Sequence, residues 1–205
     1  MSDDLRVWIG NQAVYADRLV GEWVDATDAD ELSAAFDRVT RGGQDEHFVG
    51  DIEGPAWFRQ MVGEWGSFDA IVHAVSVAEE LESEYLDSDY FTAWWDGAHT
   101  SYSPATKWDA SELVEHARDD YWGEGDSERD AAMSYAEEMI EGFSDWDYSH
   151  LDPRSCIDWD AYARNLQNDY TFCRVGGTVY VIGSRCWARR CKPRTGSSAR
   201  WPRSS

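Results

Sequence analysis

The chain has 205 residues, of which 40 are Asp or Glu and 18 are Lys or Arg, so its formal net charge is −22. Hydrophobic residues make up 42% and aromatic residues 14% of the chain, which excludes an acidic disordered protein, because such proteins lack the apolar side chains of a core. There is no apolar run long enough to span a bilayer, and Ser2-Asp3-Asp4 is acidic, so we expect a cytoplasmic protein without a membrane partner.

The charge is unevenly distributed along the chain. Seven basic residues and no acidic one follow Ser184, so residues 1–183 hold 11 basic and 40 acidic side chains, a net charge of about −29. Residues 184–205 are predicted to be a basic, disordered tail that could fold back on the acidic body. The four Cys lack any Cys-x-x-Cys pair, which favours reduced thiols, and we expect neither a metal nor a cofactor.

Residues 1–66 are predicted to form a small α+β domain. Three segments favour strands: Arg6–Gly10, Leu19–Asp25 and His47–Glu53. Gly10-Asn11 and Ala16-Asp17 are predicted turns between the first two strands. Asp28 and Glu31 match a capping box, and the apolar residues that follow have helical spacing up to Gly42-Gly43. The pattern therefore predicts a three-stranded sheet with one helix.

Residues 67–106 are predicted to form an acidic helical domain. Ser67 can cap a helix with one apolar face, and a second helix rich in aromatic residues precedes Gly97. Between Arg59 and Lys107 there are nine acidic residues and no basic one. The charge is more uniformly negative here than elsewhere in residues 1–183. Residues 99–104 are predicted to be a linker.

Residues 107–183 are predicted to form a second α+β domain. Asp109 and Glu112 match a capping box. The segment Tyr121–Asp126 is rich in turn residues and precedes a helix with an apolar face over Ala132–Phe143. Asp158 can cap a short helix whose apolar stripe contains Trp159, Tyr162 and Leu166. Two strands, Phe172–Val175 and Thr178–Ile182, then form a hairpin around Gly176-Gly177.

Catalytic motifs are lacking in the sequence. It contains no Gly-x-Ser-x-Gly elbow, P-loop, His-Glu-x-x-His or Gly-x-Gly-x-x-Gly pattern. A carbohydrate-active enzyme would need two carboxylates flanking a glycosidic bond, for which Asp145 with Asp147 or Asp158 with Asp160 are candidates. Acids from Asp126 to Glu137 partly match a calcium loop, but Ala131 stands where the sharp turn needs Gly.

The acidity itself allows three interpretations. A solvated, salt-adapted surface accounts for any single carboxylate. The whole set can instead mimic a polyanion, because carboxylates four residues apart on a helix lie roughly 6 Å apart along its axis. B-form DNA carries one charge per about 1.7 Å, so a charge near −29 corresponds to roughly 49 Å of duplex, about fourteen base pairs. The third interpretation is an acidic interaction module for another basic DNA-binding protein.

Four stretches of the chain resemble the ArdA-type antirestriction family. Val7–Asn11, with Tyr15, and Leu19–Trp23 are similar to the start of that family's proteins, and Asp119–Glu124 and Ile157–Leu166 are similar to its C-terminal domain. The resemblance spans about residues 5–183, and the basic tail departs from it. It implies a non-enzymatic mimic of bent B-form DNA, with three small domains in an elongated row.

The resemblance also implies partners and surfaces. It predicts occupation of the DNA-binding groove of a type I restriction-modification enzyme, at its methyltransferase core, without direct binding of nucleic acid, and a homodimer formed through the third domain. The predicted phosphate-mimicking acids are Glu79, Glu80, Glu82, Glu84, Asp87, Asp89, Asp96, Glu112, Glu115, Asp119 and Asp120. The predicted dimer interface comprises Ala132, Met133, Ala136 and Ile140.

Overall fold

The computed structural model describes residues 5–11, 21–40, 47–64, 66–98, 108–139 and 153–183. Seven α-helices and two three-stranded antiparallel sheets account for the regular structure of this part. The predicted α+β class is confirmed. Within the described residues there is no helix both long and apolar enough to cross a membrane.

The first sheet has the strand order β2-β1-β3 and packs against helix α1. Its elements are β1 (Arg6–Asn11), β2 (Gly21–Asp25), β3 (His47–Glu53) and α1 (Ala29–Thr40). The carboxylate of Asp28 accepts the backbone N–H of Glu31 at 2.9 Å, which satisfies a free donor of the first helical turn and explains where α1 begins. The strands and the helix predicted here are confirmed.

The predicted turn at Gly10-Asn11 is wrong. Both residues belong to β1, where they pair with Phe48 and His47 of β3. The amide of Asn11 is buried and donates to the carbonyl oxygen of Val39 at 2.7 Å, so a residue typical of turns ties the strand to α1. The predicted turn at residues 16–17 and the helix end at residues 42–43 lie outside the described residues.

Three helices follow the first sheet. They are α2 (Ala56–Val62), α3 (Phe68–Ser83) and α4 (Ser88–Ala98). Ser67 Oγ accepts the backbone N–H of Ala70 at 3.1 Å, which confirms the predicted cap. Helix α4 is also confirmed, with Tyr90, Phe91 and Trp94 almost fully buried. The sequence analysis did not predict α2, and the predicted linker at residues 99–104 lies outside the described residues.

The second sheet has the strand order β4-β6-β5. The elements from here on are α5 (Ala110–Asp119), β4 (Tyr121–Gly125), α6 (Glu128–Met139), a 3-10 turn (Pro153–Cys156), α7 (Trp159–Leu166), β5 (Tyr170–Val175) and β6 (Thr178–Gly183). The Asp109–Glu112 capping box and the Asp158 cap are confirmed. The hairpin is confirmed as well, since Gly176 and Gly177 both adopt positive φ, 58° and 102°, as a tight turn between strands requires.

The segment predicted as turn-rich, Tyr121–Asp126, is mostly strand. Residues Tyr121–Gly125 form β4 and pair with β6. A Cβ at Gly125 would lie 2.4 Å from the backbone nitrogen of Ala131, and one at Gly123 would lie 3.0 Å from that of Tyr135. The glycines therefore permit close approach of α6 to the strand rather than a turn.

Strand β6 lies at the centre of the second sheet and is buried on both faces. Tyr180 and Ile182 pack in the same apolar cluster as α4 and α5, whereas Val179 and Val181 pack with α6 and α7. Successive side chains of a strand point to opposite faces, so one strand serves two cores. The larger cluster runs from Leu5 to Ile182 and crosses the boundaries predicted near residues 66 and 106, so the division into three domains stays a prediction.

Candidate acidic partner interface

The acidic side chains of the described residues lie almost entirely on the surface. Of the 31 Asp and Glu residues in this part of the chain, 28 are exposed. The same part contains eight Lys and Arg residues, so its acids outnumber its bases by 23. The surface of the fold therefore carries a dense negative charge, as polyanion mimicry requires.

The predicted phosphate-mimicking acids mostly share this exposure. Nine of the eleven are exposed, Glu80 is half-buried and Asp120 is buried. Exposed acids also occur outside the predicted set, among them Asp30, Asp37, Asp51, Glu64 and Asp69. The polar positions of the helical pattern would have identified Asp30, Asp37 and Asp69, since the same rule places them on the solvent side.

Helices α3 and α5 carry much of the predicted set and run in the same direction. His73 of α3 lies near Asp109 at the start of α5, and Glu84 after α3 binds Arg118 near the end of α5, with Oε2 and Nη1 2.7 Å apart. Glu79 and Glu82 on α3, and Glu115 and Asp119 on α5, are exposed. With a rise of about 1.5 Å per residue, such pairs are spaced about 4.5 to 6 Å along each axis.

Two acids of the set also hold the fold together. Asp87 Oδ1 accepts the backbone N–H of Tyr90 at 2.8 Å and the hydroxyl of Tyr180 at 3.3 Å, so it caps α4 and ties it to β6. Asp96 Oδ1 accepts the side-chain amide of Gln60 at 2.7 Å. Their carboxylates are therefore held in position while remaining exposed.

Asp120 departs from the surface role expected of it. Its exposed fraction is 5%, and Oδ2 accepts the indole N–H of Trp94 at 3.0 Å. Its backbone N–H and carbonyl bond to His116 and Gly183, which joins the end of α5 to β6. Because buried polar groups must be hydrogen-bonded, this carboxylate is part of the core structure. We therefore leave it out of the candidate interface.

A group of acids and tyrosines forms where β4 and β6 meet α4. Partial burial and the nearby charge of Asp87 raise the pKa of Glu124 above its ordinary value. Burial, followed by the charges of Asp87, Glu124 and Asp89, raises the pKa of Tyr180. The sequence analysis did not connect Glu124 with Asp87, because the pairing of β4 with β6 brings them together across 37 positions of the chain.

An acidic-rimmed groove of about 550 Å³ lies between the first sheet and helices α2 to α4. Its apolar lining includes Leu5, Trp57, Val75, Leu81 and Leu86. Four of the predicted acids, Glu79, Glu82, Asp87 and Asp89, also line it. The sequence analysis did not predict this groove, because its walls come from four separate segments.

The residues predicted for a dimer interface fall into different environments. Ala132 and Ala136 are 0% and 1% exposed and pack in the chain's own cores. Met133 is half-buried against the cluster around Trp159, and Ile140 lies outside the described residues. Core packing accounts for the two alanines, and an interface role for this helix stays a prediction.

The alternative uses of the acids find little support in the geometry. Residues Glu128–Met139 form a continuous helix, so the segment from Asp126 to Glu137 cannot wrap around a calcium ion. Asp158 caps α7 through the backbone N–H of Ala161 at 2.9 Å, and Asp145 and Asp147 lie outside the described residues. Among the described residues there is no group of His, Cys, Asp or Glu suited to hold a metal ion.

Comparison with known proteins identifies one family. The model of a family described as antirestriction protein (ArdA) matches residues 7–180. This range covers all seven helices and both sheets, except Arg6 of β1 and the last three residues of β6. No curated protein matches the chain. The matched range also agrees with the span of the resemblance noted from the sequence.

Proposed function

The chain belongs to the ArdA family of antirestriction proteins, and on this basis we propose that it mimics B-form DNA and occupies the DNA-binding groove of type I restriction-modification enzymes. In this proposal the chain inhibits without catalysis. Its target is the methyltransferase core, which binds DNA through basic side chains. Incoming foreign DNA is protected because the inhibitor and the DNA compete for one groove.

The observation that supports the proposal most strongly is the exposure of 28 of the 31 described acids against eight bases. A surface of this kind attracts a basic groove at long range. Binding gains free energy from the release of counterions, as DNA binding does, and this contribution falls steeply with salt. Distributed charge, rather than a small set of catalytic groups, then carries the activity.

Competition tests the proposal directly. A purified type I methyltransferase core is bound to labelled DNA at moderate salt, and the full chain is added. We expect displacement of the DNA, and a log–log plot of affinity against salt with a steep negative slope. If the chain leaves the DNA bound at every concentration, mimicry of DNA toward this enzyme is wrong. Capture of a different basic DNA-binding protein would then favour an acidic interaction module.

A homodimer formed through α6 is a separate part of the proposal. Met133 is the predicted interface residue with a described, half-buried side chain. Sedimentation of Met133→Glu, with Met133→Ala as the control for lost packing, tests it. We expect the charged variant alone to shift toward the monomer. A dimer that persists in both variants would remove this helix face from the interface.

A further inference from the structure

The loop between α3 and α4 presents an exposed aromatic side chain in an unusual backbone conformation. Tyr85 is 89% exposed and has a φ of 55°. The N–H of Leu86 donates to Leu81 O at 2.9 Å, and the N–H of Tyr85 donates to Glu82 O at 3.2 Å. These two bonds define a Schellman motif, in which Tyr85 takes the left-handed position that glycine usually fills.

The turn does not need the side chain of Tyr85. A non-glycine residue in the left-handed region costs free energy relative to glycine. The hydrophobic contact that accompanies a Schellman motif is made by Leu81 and Leu86, which are both buried, and not by Tyr85. The motif therefore explains the turn but leaves the exposed ring of Tyr85 without a structural role in the fold.

The backbone of Tyr85 lies at the edge of the acidic-rimmed groove, because its near neighbours on both sides line that groove. Leu81 and Glu82 precede Tyr85, Leu86 and Asp87 follow it, and all four line the groove. Between residues 82 and 89 the chain has four acids and no base. An apolar floor, a carboxylate rim and an exposed aromatic ring on the bordering loop together suit a side chain that is cationic, planar and carried on an aliphatic stem.

We propose that Tyr85 and the acidic-rimmed groove form a docking site for an arginine-bearing segment of the protein partner. The guanidinium stacks on the face of the tyrosine ring and is paired by the carboxylates of the rim, while neighbouring apolar atoms of the segment lie on the groove floor. Arginine fits better than lysine, because its planar, weakly hydrated cation stacks on aromatic faces and binds carboxylates through two donors.

The inference rests on the proposed function for the identity of the partner, but not for the chemistry of the site. Phosphate mimicry alone would give arginine only the advantage of binding a carboxylate through two donors, since both side chains carry the same positive charge. A ring at the rim adds a contribution that depends on the type of cation and does not depend on salt. The site would thereby give the inhibitor selectivity among basic grooves.

The decisive variant is Tyr85→Gly in the full chain. Glycine relieves the left-handed conformation, so we expect the melting temperature to rise, by about 2 to 4 °C. Affinity for the methyltransferase core is expected to fall by about three- to thirty-fold, as loss of a cation–π contact implies. The salt slope should stay unchanged, because no charge is removed. A merely structural tyrosine would not yield higher stability together with weaker binding.

Three controls accompany this variant. Tyr85→Phe keeps the ring and should bind like the wild type. Met139→Ala removes the other large apolar side chain that is exposed within the described residues and should leave binding unchanged. Ala78→Phe narrows the groove, which Ala78 lines, and should weaken binding without changing the salt slope. Binding of Tyr85→Gly within two-fold of the wild type would overturn the proposal, as would equal losses in Tyr85→Phe and Tyr85→Gly.

A peptide assay separates this inference from the proposed function. Nona-arginine and nona-lysine carry equal charge, and we expect the wild-type chain to prefer nona-arginine, with most of the preference lost in Tyr85→Gly. If the wild type fails against the methyltransferase core but keeps this preference, the proposed partner is wrong and the docking site stands. If both peptides bind wild type and variant alike, the docking site is wrong whatever the enzyme result.

Discussion

Two acidic regions of the molecule put the same residue type to different uses. Between Glu79 and Asp96 every carboxylate except the half-buried Glu80 is exposed, including those that cap or bridge elements. Between Asp119 and Glu124 one acid enters the fold: Asp120 is buried against Trp94, whereas Glu124 stays exposed and lies close to Asp87. The first region holds most of the acids that we propose face a partner, whereas in the second the carboxylate of Asp120 organises the core. Burial, rather than charge density along the sequence, separates the two.

Replacement of Asp120 should have the largest effect on stability. Asp120→Ala leaves the buried indole N–H of Trp94 without this acceptor, so we expect a loss of about 2 to 3 kcal/mol in the free energy of unfolding. Asp120→Asn keeps an acceptor oxygen and should lose less. Urea unfolding followed by tryptophan fluorescence measures both. Inhibition per folded molecule should stay near the wild type, and a stable variant that no longer inhibits would place Asp120 in the interface instead.

Neutralisation of surface acids should weaken binding and leave stability nearly unchanged. In the triple variant Glu79→Gln, Glu82→Gln, Glu115→Gln, all three sites are exposed, so the free energy of unfolding should stay within about 0.5 kcal/mol per site. Affinity for the methyltransferase core should fall roughly ten- to hundred-fold, and the salt slope by about 2.7, since each phosphate-like charge contributes about 0.9.

A charge-matched control tests whether position matters in addition to the number of charges. Glu128→Gln, Glu138→Gln and Asp160→Asn remove three exposed carboxylates from α6 and α7. We expect a smaller loss of affinity from this set. Equal losses from the two triple variants would mean that net charge alone determines binding, and that the surface of α3 and α5 has no special part in it.

The ion pair between Arg118 and Glu84 allows a prediction of stronger binding. Arg118→Gln frees Glu84 and makes the chain more negative by one charge, so affinity should rise about two- to five-fold and the salt slope should steepen by about 0.9. Stability should change by no more than about 1 kcal/mol, because both side chains are partly exposed. Arg59→Gln adds the same net charge without freeing Glu84. Binding that is equal in the two variants would exclude a specific role for Glu84.

Local patterns in the sequence predicted most elements of the fold. Caps at Asp28, Ser67, Asp109 and Asp158 fixed where helices begin, because one side chain and one helical turn suffice for a cap. The class and the C-terminal hairpin followed from periodicity and paired glycines. These features depend on neighbours within a few positions, which a sequence displays directly.

The errors came from contacts between distant parts of the chain. Gly123 and Gly125 suggested a turn, but they allow α6 to pack closely against β4. The sequence does not show which helix packs on which strand. The sequence predicted that Asp120 is exposed like its neighbour Asp119. Its burial depends on Trp94, which is distant in the sequence and contacts it in the fold. The acidic-rimmed groove was not predicted, because distant segments of the chain form its walls. Charge was visible in the sequence, whereas the surface that displays it depends on tertiary packing.

Replacement of Glu124 should produce the smallest effect, a slight gain in stability at neutral pH. Partial burial and Asp87 raise the pKa of Glu124 from an ordinary value of 4.5, so the folded state holds this proton more tightly than the unfolded state. The wild type should therefore lose stability as pH rises from about 4.5 through the folded pKa. In Glu124→Gln this penalty is absent. The variant should be more stable than the wild type at pH 7 by about 0.5 kcal/mol or less, since the carboxyl is partly solvated.

The pH series itself distinguishes burial from a general charge effect. Urea unfolding at micromolar protein from pH 4 to pH 8 should show the difference between Glu124→Gln and the wild type growing as pH rises. Tyr121→Phe should steepen the wild-type trend, because the hydroxyl of Tyr121 hydrogen-bonds the Glu124 carboxylate and holds its pKa down. If Glu128→Gln on the exposed face of α6 gives the same pH profile, relief of general repulsion explains the result. A profile confined to Glu124 instead assigns the penalty to the partial desolvation of this carboxylate beside Asp87.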